Sequence, residues 1–483
     1  MKGRVGQRGR AGRVGRVGMA LAFGLAAGQP FRPALAQQNS GAPAAFVKVQ
    51  GPLLALTHAR VVDGTGAPAK ENQTIVIRDG QIASVGDTAP PSGATVVDLT
   101  GRSVIPGLVM LHEHLYYPTG PGVYGQLGAS FVRLYLAGGV TTLRTGGNTN
   151  GFMDFNLARR IQAGELAGPA IDATAPYLNG PNTFLQMNAV TTAAEARRHV
   201  AYWNEQGATS LKIYMQINRE AMKAGIEEAH ARRMKVTGHL CSVTYGEAAD
   251  LGIDNLEHGF FASTDFVADK QPDVCPGQAR GQQSIAALDE NAEPFRALVG
   301  KLVAKHVALT STLTVFETFT RGRPMPPGLD VLTPSLQESF KRAYERAQQN
   351  RPSVYSTLFP KGMALERAFA RAGGTLVAGT DPTGSGGVIP GYANQRQLEL
   401  LVEAGFTPLE AITIGTLNGA KFLARDAKIG SIAAGKQADL VIVAGDPSKT
   451  IADVRRVEIV FKNGVGFDPQ KLIDSVKGQV GIW

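Results

Sequence analysis

The middle of the chain alternates short apolar runs with longer amphipathic stretches. The amphipathic stretches have helical spacing of apolar residues, as in "AAEARRHVAYWNEQG", "REAMKAGIEEAHARR" and "ANQRQLELLVEAG". The apolar runs predict eight strands, near residues 104–112, 139–145, 169–177, 209–214, 235–239, 254–259, 306–313 and 373–380. Because helical material follows each predicted strand, the pattern favours an α/β fold of the (β/α)8, or TIM, barrel type.

Both ends of the chain have a different pattern. Residues 53–101 contain "LALTHARVVDG", "QTIVIRDGQIASVG" and "ATVVDLTG", in which apolar alternation is interrupted by turn residues. A similar signal returns in "GSIAAGKQADLVIVAGD" and "VEIVFKNGVGF" near the other end. We therefore expect one small sheet domain formed by residues 37–104 and 425–483, with the barrel over 105–424 between them.

Two connections, residues 260–285 and 314–360, exceed ordinary loop length and are candidates for segments that cover a substrate. Active sites of such barrels lie at the carboxyl ends of the strands, where these connections begin.

The first residues of the chain predict a secretory signal over 1–36. Residues 1–18 carry only positive charge, the apolar run "MALAFGLAAG" follows, and Ala34 and Ala36 form an A-x-A cleavage pattern. The apolar run has about half the length that a membrane helix needs, so we expect an exported protein without a membrane anchor. The alternative is a disordered basic tail.

Charge and cysteine content narrow the function classes. Of the 483 residues, 1–36 contain seven basic and no acidic ones, so removing this segment lowers the net charge from +9 to +2. The remainder gives no indication of a nucleic-acid partner. Cys241 and Cys275 are the two cysteines, and whether they pair is open. Without CxxC spacing, a thiolate zinc site is not expected.

The stretch "SVIPGLVMLHEHLYYP", residues 103–118, provides the first chemical signal. In a strand, alternate side chains share a face, so His112 and His114 lie together while Glu113 points away. Two imidazoles on one face are typical of a metal site. The alternative is two unrelated polar residues after a strand.

Other predicted strand ends carry metal-capable residues as well. They are Lys212 in "TSLKIYM", His239 in "KVTGHL", His258 in "DNLEHGFF" and Asp381 in "GTLVAGTDP". Four of the eight histidines in the chain thus lie at strand ends. The other histidines, His58, His199, His230 and His306, are interpreted as structural or surface residues.

Over residues 53–470 the chain resembles the amidohydrolase superfamily, in the branch related to imidazolonepropionase and metal-dependent dipeptidases, including ochratoxinase-like enzymes. The motifs that carry the resemblance are "VIPGLVMLHEH", "GVTTLRTGG", "LKIYM", "LGIDNLEHG", "LVAGTDP" and "GSIAAGKQADLVIV". The resemblance implies that the sheet domain formed by both chain ends is a β-sandwich.

The resemblance also implies a set of metal ligands. His112, His114 and Asp381 match ligands of one metal, and His239 and His258 match ligands of a second. Lys212 matches a lysine that is carboxylated and bridges the two. Divalent ions, with zinc first, suit these donors. Asp381 would be the catalytic base. The alternatives are an ordinary lysine, a core histidine at 258 and a helix-capping aspartate.

The expected reaction is hydrolysis of an amide or peptide bond in a small molecule such as a dipeptide, an N-acyl amino acid or an aromatic amide. Cyclic amides, lactones and other esters are the alternative substrates, and a non-catalytic binding barrel is disfavoured because every ligand position is filled. Assembly into a homo-oligomer stays open.

Substrate-binding candidates are less sharply defined. Tyr117, Tyr214 and Tyr245, like Tyr116, lie near the ligands in sequence and could donate a hydrogen bond to an oxyanion or simply pack at the rim. Arg144 could bind a substrate carboxylate or form an internal salt bridge. Relatives often have Arg-Asp after the second strand, where this chain has Arg144-Thr145, and many have a histidine after the eighth strand, where it reads "GGVIPGYANQRQLEL". Both differences argue against a simple transfer of dipeptidase specificity.

Overall fold

The computed structural model describes residues 43–120, 123–182, 187–349 and 352–481. The predicted signal segment 1–36 lies outside the described residues, so the expectation of export stays a prediction. In chain order, the strands are β1 (Val47–Val49), β2 (Leu53–Val61), β3 (Lys70–Arg78), β4 (Gln81–Gly86), β5 (Thr95–Asp98), β6 (Arg102–Pro106), β7 (Leu108–Glu113), β8 (Tyr116–Gly120), β9 (Val123–Gln126), β10 (Val140–Thr145), β11 (Ala170–Asp172), β12 (Ser210–Ile213), β13 (Lys235–Gly238), β14 (Asn255–Glu257), β15 (Ala308–Ser311), β16 (Leu376–Ala378), β17 (Leu440–Ala444), β18 (Val457–Lys462) and β19 (Val465–Phe467).

Helices fill most of the connections between the middle strands. They are α1 (Gly128–Ala137), α2 (Phe152–Gln162), α3 (Ala193–Gln206), α4 (Arg219–Ala231), α5 (Tyr245–Asp250), α6 (Gln278–Ala286), α7 (Glu293–Ala304), α8 (Leu313–Glu317), α9 (Pro334–Gln348), α10 (Tyr355–Arg371), α11 (Tyr392–Glu403), α12 (Pro408–Thr413), α13 (Gly419–Phe422) and α14 (Pro469–Asp474). The sequence specifies their starts locally: Thr192 and Glu195 form a capping box at α3, and the Asn218 side chain caps α4.

The eight predicted middle strands correspond to β7 and β10–β16, and every pairing among them is parallel. They form a sheet in the order β11-β10-β7 and a sheet in the order β12-β13-β14-β15-β16. Parallel bridges join Thr174 to Ser210 and Leu178 to Ile213, next to β11 and β12. Beyond β16, the amide of Thr380 donates to the carbonyl oxygen of His112 in β7 at 3.1 Å. The mixed α/β fold expected from the pattern is confirmed.

A nine-stranded sheet combines strands from both ends of the chain, in the order β1-β19-β18-β17-β6-β2-β3-β4 with β5 beside β2. In its centre, β17 runs antiparallel to β6 and pairs Val441 with Ile105. The expectation that both ends build one sheet agrees with this order. The β-sandwich form and the domain boundaries stay predictions.

The apolar run from Ser103 to Leu111 is two strands, so the prediction of a single strand near residues 104–112 was wrong in this respect. β6 belongs to the nine-stranded sheet and β7 to the parallel strands. Gly107 lies between them in close contact with Thr141, where a Cβ would come within 2.2 Å of the threonine Oγ1. Only glycine therefore allows the chain to pass from one sheet to the other here.

The two long connections contain helices. Residues 260–285 include most of α6, and 314–360 include most of α8, all of α9 and the start of α10. No helix among the described residues combines the length and apolar character that crossing a membrane would require.

Candidate functional site

Six side chains that the sequence placed at strand ends line one cavity of about 280 Å³. We call this set the ligand cluster; its members are His112, His114, Lys212, His239, His258 and Asp381. Each follows or closes a parallel strand, so the common direction of the strands brings all of them to one end. Glu113, between the two first histidines, points away from the cavity and accepts hydrogen bonds from Thr380 and Asn394.

The imidazoles of His112 and His114 are oriented by hydrogen bonds from Nδ1. His112 Nδ1 donates to Glu257 Oε2 at 2.7 Å, and His114 Nδ1 donates to the carbonyl oxygen of Gly147 at 3.0 Å. Their Nε2 atoms lie 3.7 and 3.3 Å from Asp381 Oδ1. One donor atom from each of these three residues lies within 4.8 Å of the others. Such orientation of imidazole and carboxylate donors is typical of metal sites.

His239 and His258 lie next to this group. The ring centroid of His258 lies 4.6 Å from those of both His112 and His239. His258 Nδ1 also forms a hydrogen bond of 2.8 Å with the hydroxyl of Thr312. His258 and Asp381 have positive φ angles of 66° and 55°, a conformation that non-glycine residues adopt mainly where function or local geometry demands it.

Lys212 is buried with an unsatisfied amine. Its side chain is 1% exposed, its Nζ makes no hydrogen bond, and the nearest carboxylate oxygen, Glu257 Oε1, lies 3.6 Å away. Burial lowers the pKa of Lys212 to about 8. A buried amine that lacks a partner is costly, and a lysine with lowered pKa is available as a nucleophile.

The surroundings of the cluster favour neutral side chains at His112, His239 and His258 and an ionised Asp381. Burial lowers the pKa of His112 to about 4 and that of His239 to about 3. Burial alone would raise the pKa of Asp381, but the neighbouring imidazoles of His112, His114 and His258 hold it well below its usual value. Neutral imidazoles and a carboxylate are the protonation states in which these residues bind metal ions.

Arg144 does not reach the cavity. Its side chain is 0% exposed; Nη2 donates to Glu257 Oε1 at 2.8 Å and Nε donates to the carbonyl oxygen of Leu111 at 2.8 Å. This position does not agree with the predicted contact to a substrate carboxylate. The alternative interpretation, an internal salt bridge, describes the observed arrangement, because the guanidinium neutralises a carboxylate buried beneath the cluster.

Two predicted tyrosines also lie outside the cavity lining, and the interpretation as packing residues describes them. The Tyr117 hydroxyl accepts a hydrogen bond from the Gly387 amide at 2.7 Å, and the Tyr245 hydroxyl donates to the carbonyl oxygen of Glu257 at 2.9 Å. Both side chains are buried. Tyr214 does line the cavity, and its ring lies 4.9 Å from that of His239.

The structure adds residues that the sequence did not single out. Glu257 contacts His112, Arg144, Thr237 and Lys212 from below, and its position directly before His258 was the only signal. Aromatic side chains line the cavity in two sets, which we name the tyrosine group (Tyr116, Tyr124, Tyr177 and Tyr214) and the phenylalanine group (Phe316, Phe319 and Tyr355). Of these, the sequence singled out only Tyr116 and Tyr214.

Both long connections contribute residues to the cavity, and their role in covering a substrate stays a prediction. Gln278 comes from residues 260–285 and Tyr355 from 314–360. The Gln282 side chain donates to the Tyr355 hydroxyl at 2.9 Å and links the two segments. A disulfide between Cys241 and Cys275 joins the first segment to the residues that follow β13.

The remaining histidines lie outside the cluster. His58 pairs with Asp98 and His230 with Asp254, both at exposed positions. His199 Nε2 contacts the carbonyl oxygen of Pro176 at 2.9 Å.

Sequence comparison with known proteins finds similarity to amidohydrolases. A model of the amidohydrolase family matches residues 333–466. The chain is 24% identical over 395 residues to an imidazolonepropionase of Geobacillus sp., an alignment covering 77% of this chain and 84% of that protein. It is 28% identical over 193 residues to a dihydroorotase of Leifsonia xyli, which covers 38% of this chain and 41% of that protein.

Solved structures give the same assignment. The chain resembles a presumed prolidase from Bifidobacterium longum with a TM-score of 0.66 and 27% identity, covering 89% of this chain and 100% of that one. A Xaa-Pro dipeptidase with bound methionine in its active site has a TM-score of 0.67 at 19% identity, covering 86% and 100%; this likeness concerns the fold alone. The family model and these similarities support the amidohydrolase superfamily and a hydrolase that acts on carbon–nitrogen bonds.

Proposed function

We propose that this hydrolase cleaves an amide or peptide bond of a small molecule in a site that holds two divalent metal ions. The observation that carries the proposal is the convergence of all six cluster residues on one cavity, with the pKa values of His112, His239 and His258 lowered and Asp381 ionised. We also infer that β7 and β10–β16 close into a (β/α)8 barrel, since the Thr380–His112 hydrogen bond connects the last strand to the first.

The residues fit the metals that the family implies. His112, His114 and Asp381 would hold one ion, and His239 and His258 the other, with zinc best suited to these donors. The Lys212 amine has no hydrogen bond among the described residues, which supports carboxylation, because the carbamate would be an anionic ligand shared by both ions. When bound, such ions polarise a carbonyl group and lower the pKa of a water molecule towards neutrality.

The protein itself contributes two things to the reaction: a carboxylate that accepts a proton, and hydrogen bonds that orient the residues of the ligand cluster. Asp381 lies within 3.3 Å of His114 Nε2, inside the cavity, and its lowered pKa keeps the side chain ionised. As a carboxylate beside the proposed metal site, it would be the group that accepts a proton from the attacking water. The same residue would then give that proton to the leaving amine, so that one aspartate serves both halves of the reaction. Glu257 holds His112 from below so that Nε2 faces Asp381.

Two classes of amide are candidates for the substrate. The similarity to the structure of a presumed prolidase favours linear dipeptides or N-acyl amino acids. The names of the sequence relatives, imidazolonepropionase, dihydroorotase and D-hydantoinase, favour a cyclic amide as the second candidate. The aromatic lining of the cavity is compatible with an aromatic amide as well.

Export of the protein is part of the proposal. Within residues 1–36, a basic segment is followed by an apolar run and then by small residues, and this order supports a cleaved secretory signal. The Cys241–Cys275 disulfide supports the same location, because disulfides persist in oxidising compartments. Amino-terminal sequencing of protein collected from the periplasm or medium would test it, with a mature start after Ala36 as the expected result.

The experiment that tests the activity uses purified chain loaded with Zn²⁺ against dipeptides, N-acyl amino acids, aromatic amides, hydantoins and lactones, with product release followed by mass spectrometry. We expect cleavage of at least one linear amide. Cleavage of cyclic amides alone would move the function to the second candidate, and cleavage of lactones alone would contradict amide hydrolysis. Absence of turnover with no metal bound would overturn the site assignment.

A further inference from the structure

Tyr116 and Tyr177 bring two hydroxyl groups together beside the ligand cluster. The ring of Tyr116 stacks on that of His114, with centroids 4.4 Å apart and planes inclined by 26°. Its Oη lies 3.4 Å from His114 Nε2. The two tyrosine hydroxyls form a hydrogen bond with each other, and both side chains line the cavity. The chain therefore holds a pair of hydroxyl groups at the edge of the proposed metal site, 61 positions apart in sequence.

A count of protons shows what this pair can do. A hydrogen bond between two hydroxyls uses one of their two protons. His114 Nδ1 donates to Gly147, so its Nε2 carries the lone pair that faces Asp381. A metal on that nitrogen would occupy the lone pair and leave it unable to accept a proton from Tyr116. Across residues 43–120, 123–182, 187–349 and 352–481, these contacts account for the hydrogen bonds of both hydroxyls. With a metal ion on His114 Nε2, one hydroxyl proton would therefore have no acceptor among the described residues.

Resting on the proposed function, we propose that the Tyr116–Tyr177 pair donates this proton in a hydrogen bond to the carbonyl oxygen of the substrate as negative charge develops there. The pair would form part of the oxyanion site, and no proton leaves either tyrosine. A hydrogen-bond donor held rigidly before the reaction stabilises such charge without reorganisation. The stacked His114 ring and the partner hydroxyl provide this rigidity.

The alternative use of a spare donor is to bind a carboxylate that the substrate carries throughout the reaction. The two uses differ kinetically. A donor to the developing oxyanion acts mainly on kcat, whereas an anchor for a permanent carboxylate acts mainly on KM. Burial raises the pKa of Tyr177 well above its usual value, so its hydroxyl stays protonated and its effect does not depend on pH near neutrality.

The test compares Tyr177→Phe, Tyr116→Phe and the double variant with Tyr117→Phe, using the amide that the wild-type chain cleaves. Tyr117 is the matched control because it is the same residue type, adjacent to Tyr116, and its hydroxyl contacts the Gly387 amide outside the cavity. We expect kcat to fall on the order of 10²-fold in Tyr177→Phe with KM within about threefold. The double variant should lose little more than the worse single variant, because the hydroxyls act as one donor.

Two further measurements make the outcome specific. Binding of a phosphinate analogue of that amide, measured by calorimetry, should weaken in the same ratio as kcat/KM falls. Metal content per chain should equal that of wild type, which separates loss of a donor from loss of metal. An unchanged kcat in Tyr177→Phe would overturn the inference, and so would an effect confined to a higher KM for carboxylate-bearing substrates. Wild-type turnover in the same experiment would still support the proposed function. Absence of wild-type turnover would instead contradict the proposed function.

Discussion

The floor of the cavity and its walls differ in how the chain builds them. The floor consists of the ligand cluster, whose residues lie at strand ends and are oriented by buried partners such as Glu257 and Thr312. The walls consist of the tyrosine and phenylalanine groups, which come from the β8–β9 hairpin, irregular segments and long connections. A rigid floor beneath more variable segments is the arrangement by which one barrel supports many substrates.

This difference predicts that changes in the floor abolish chemistry, whereas changes in the walls alter the choice of substrate. Four variants test it, and their expected effects decrease in order.

The largest effect is expected for Asp381→Asn. The amide keeps the shape of the carboxylate but cannot accept the proton, so kcat should fall by about 10²- to 10⁴-fold. The measurement is steady-state kinetics with metal content determined on the same sample. The exposed Asp269→Asn serves as the control and should behave as wild type. Retention of more than a tenth of the wild-type kcat by Asp381→Asn would contradict the role of Asp381.

Removal of Lys212 should have a similar but reversible effect. Lys212→Ala removes the proposed carboxylated ligand and should lower both metal content and kcat by at least about tenfold. Added acetate or propionate supplies a carboxylate of similar size and should restore part of the activity, since the buried site would accept a replacement anion. Intact-protein mass spectrometry at neutral pH should detect the extra mass of carbon dioxide in wild type alone. Full activity of Lys212→Ala without added acid would exclude the bridging role.

Glu257→Gln should weaken metal binding without removing a ligand. The change takes a negative charge from between His112, Arg144 and Lys212 and leaves the guanidinium without its partner. Loss of such an orienting group costs about 10- to 100-fold in metal affinity, measurable by competition with a chelating dye. Glu366→Gln is the control, because Glu366 is also fully buried but accepts its hydrogen bond from Ser311 and bonds to no member of the ligand cluster among the described residues. Burial raises the pKa of Glu366 to about 8, so the neutral amide resembles its protonated form.

The smallest effect on chemistry is expected for the double substitution Cys241→Ser and Cys275→Ser. The disulfide closes a separation of 34 residues and holds the segment that carries Gln278 and Gln282 near the cavity. Its loss should lower stability by up to about 3–4 kcal/mol, seen as a lower Tm, and raise KM several-fold while kcat changes less than twofold. A kcat that falls as much as in Asp381→Asn would show that floor and walls are not separable.

The same contrast explains which features the sequence could predict. The parallel strands and the ligand cluster depend on local patterns, an apolar run followed by His, Lys or Asp, so residue types along the chain were sufficient. The position of the Arg144 side chain depends on its salt bridge with Glu257, which lies 113 positions away in the sequence. No local pattern indicates that these two residues are in contact. Tyr177 was missed for the same reason, because its importance arises only from contact with Tyr116 and the cavity.

The measurement that tests the account most directly is the metal content of the purified chain, by mass spectrometry of the digested protein, paired with hydrolytic activity before and after chelation. The account predicts two divalent ions per wild-type chain, loss of activity when they are removed, recovery on addition of Zn²⁺, and fewer ions in Lys212→Ala. A wild-type chain that binds no divalent metal, or that hydrolyses its substrate equally well after complete removal of metal, would contradict it.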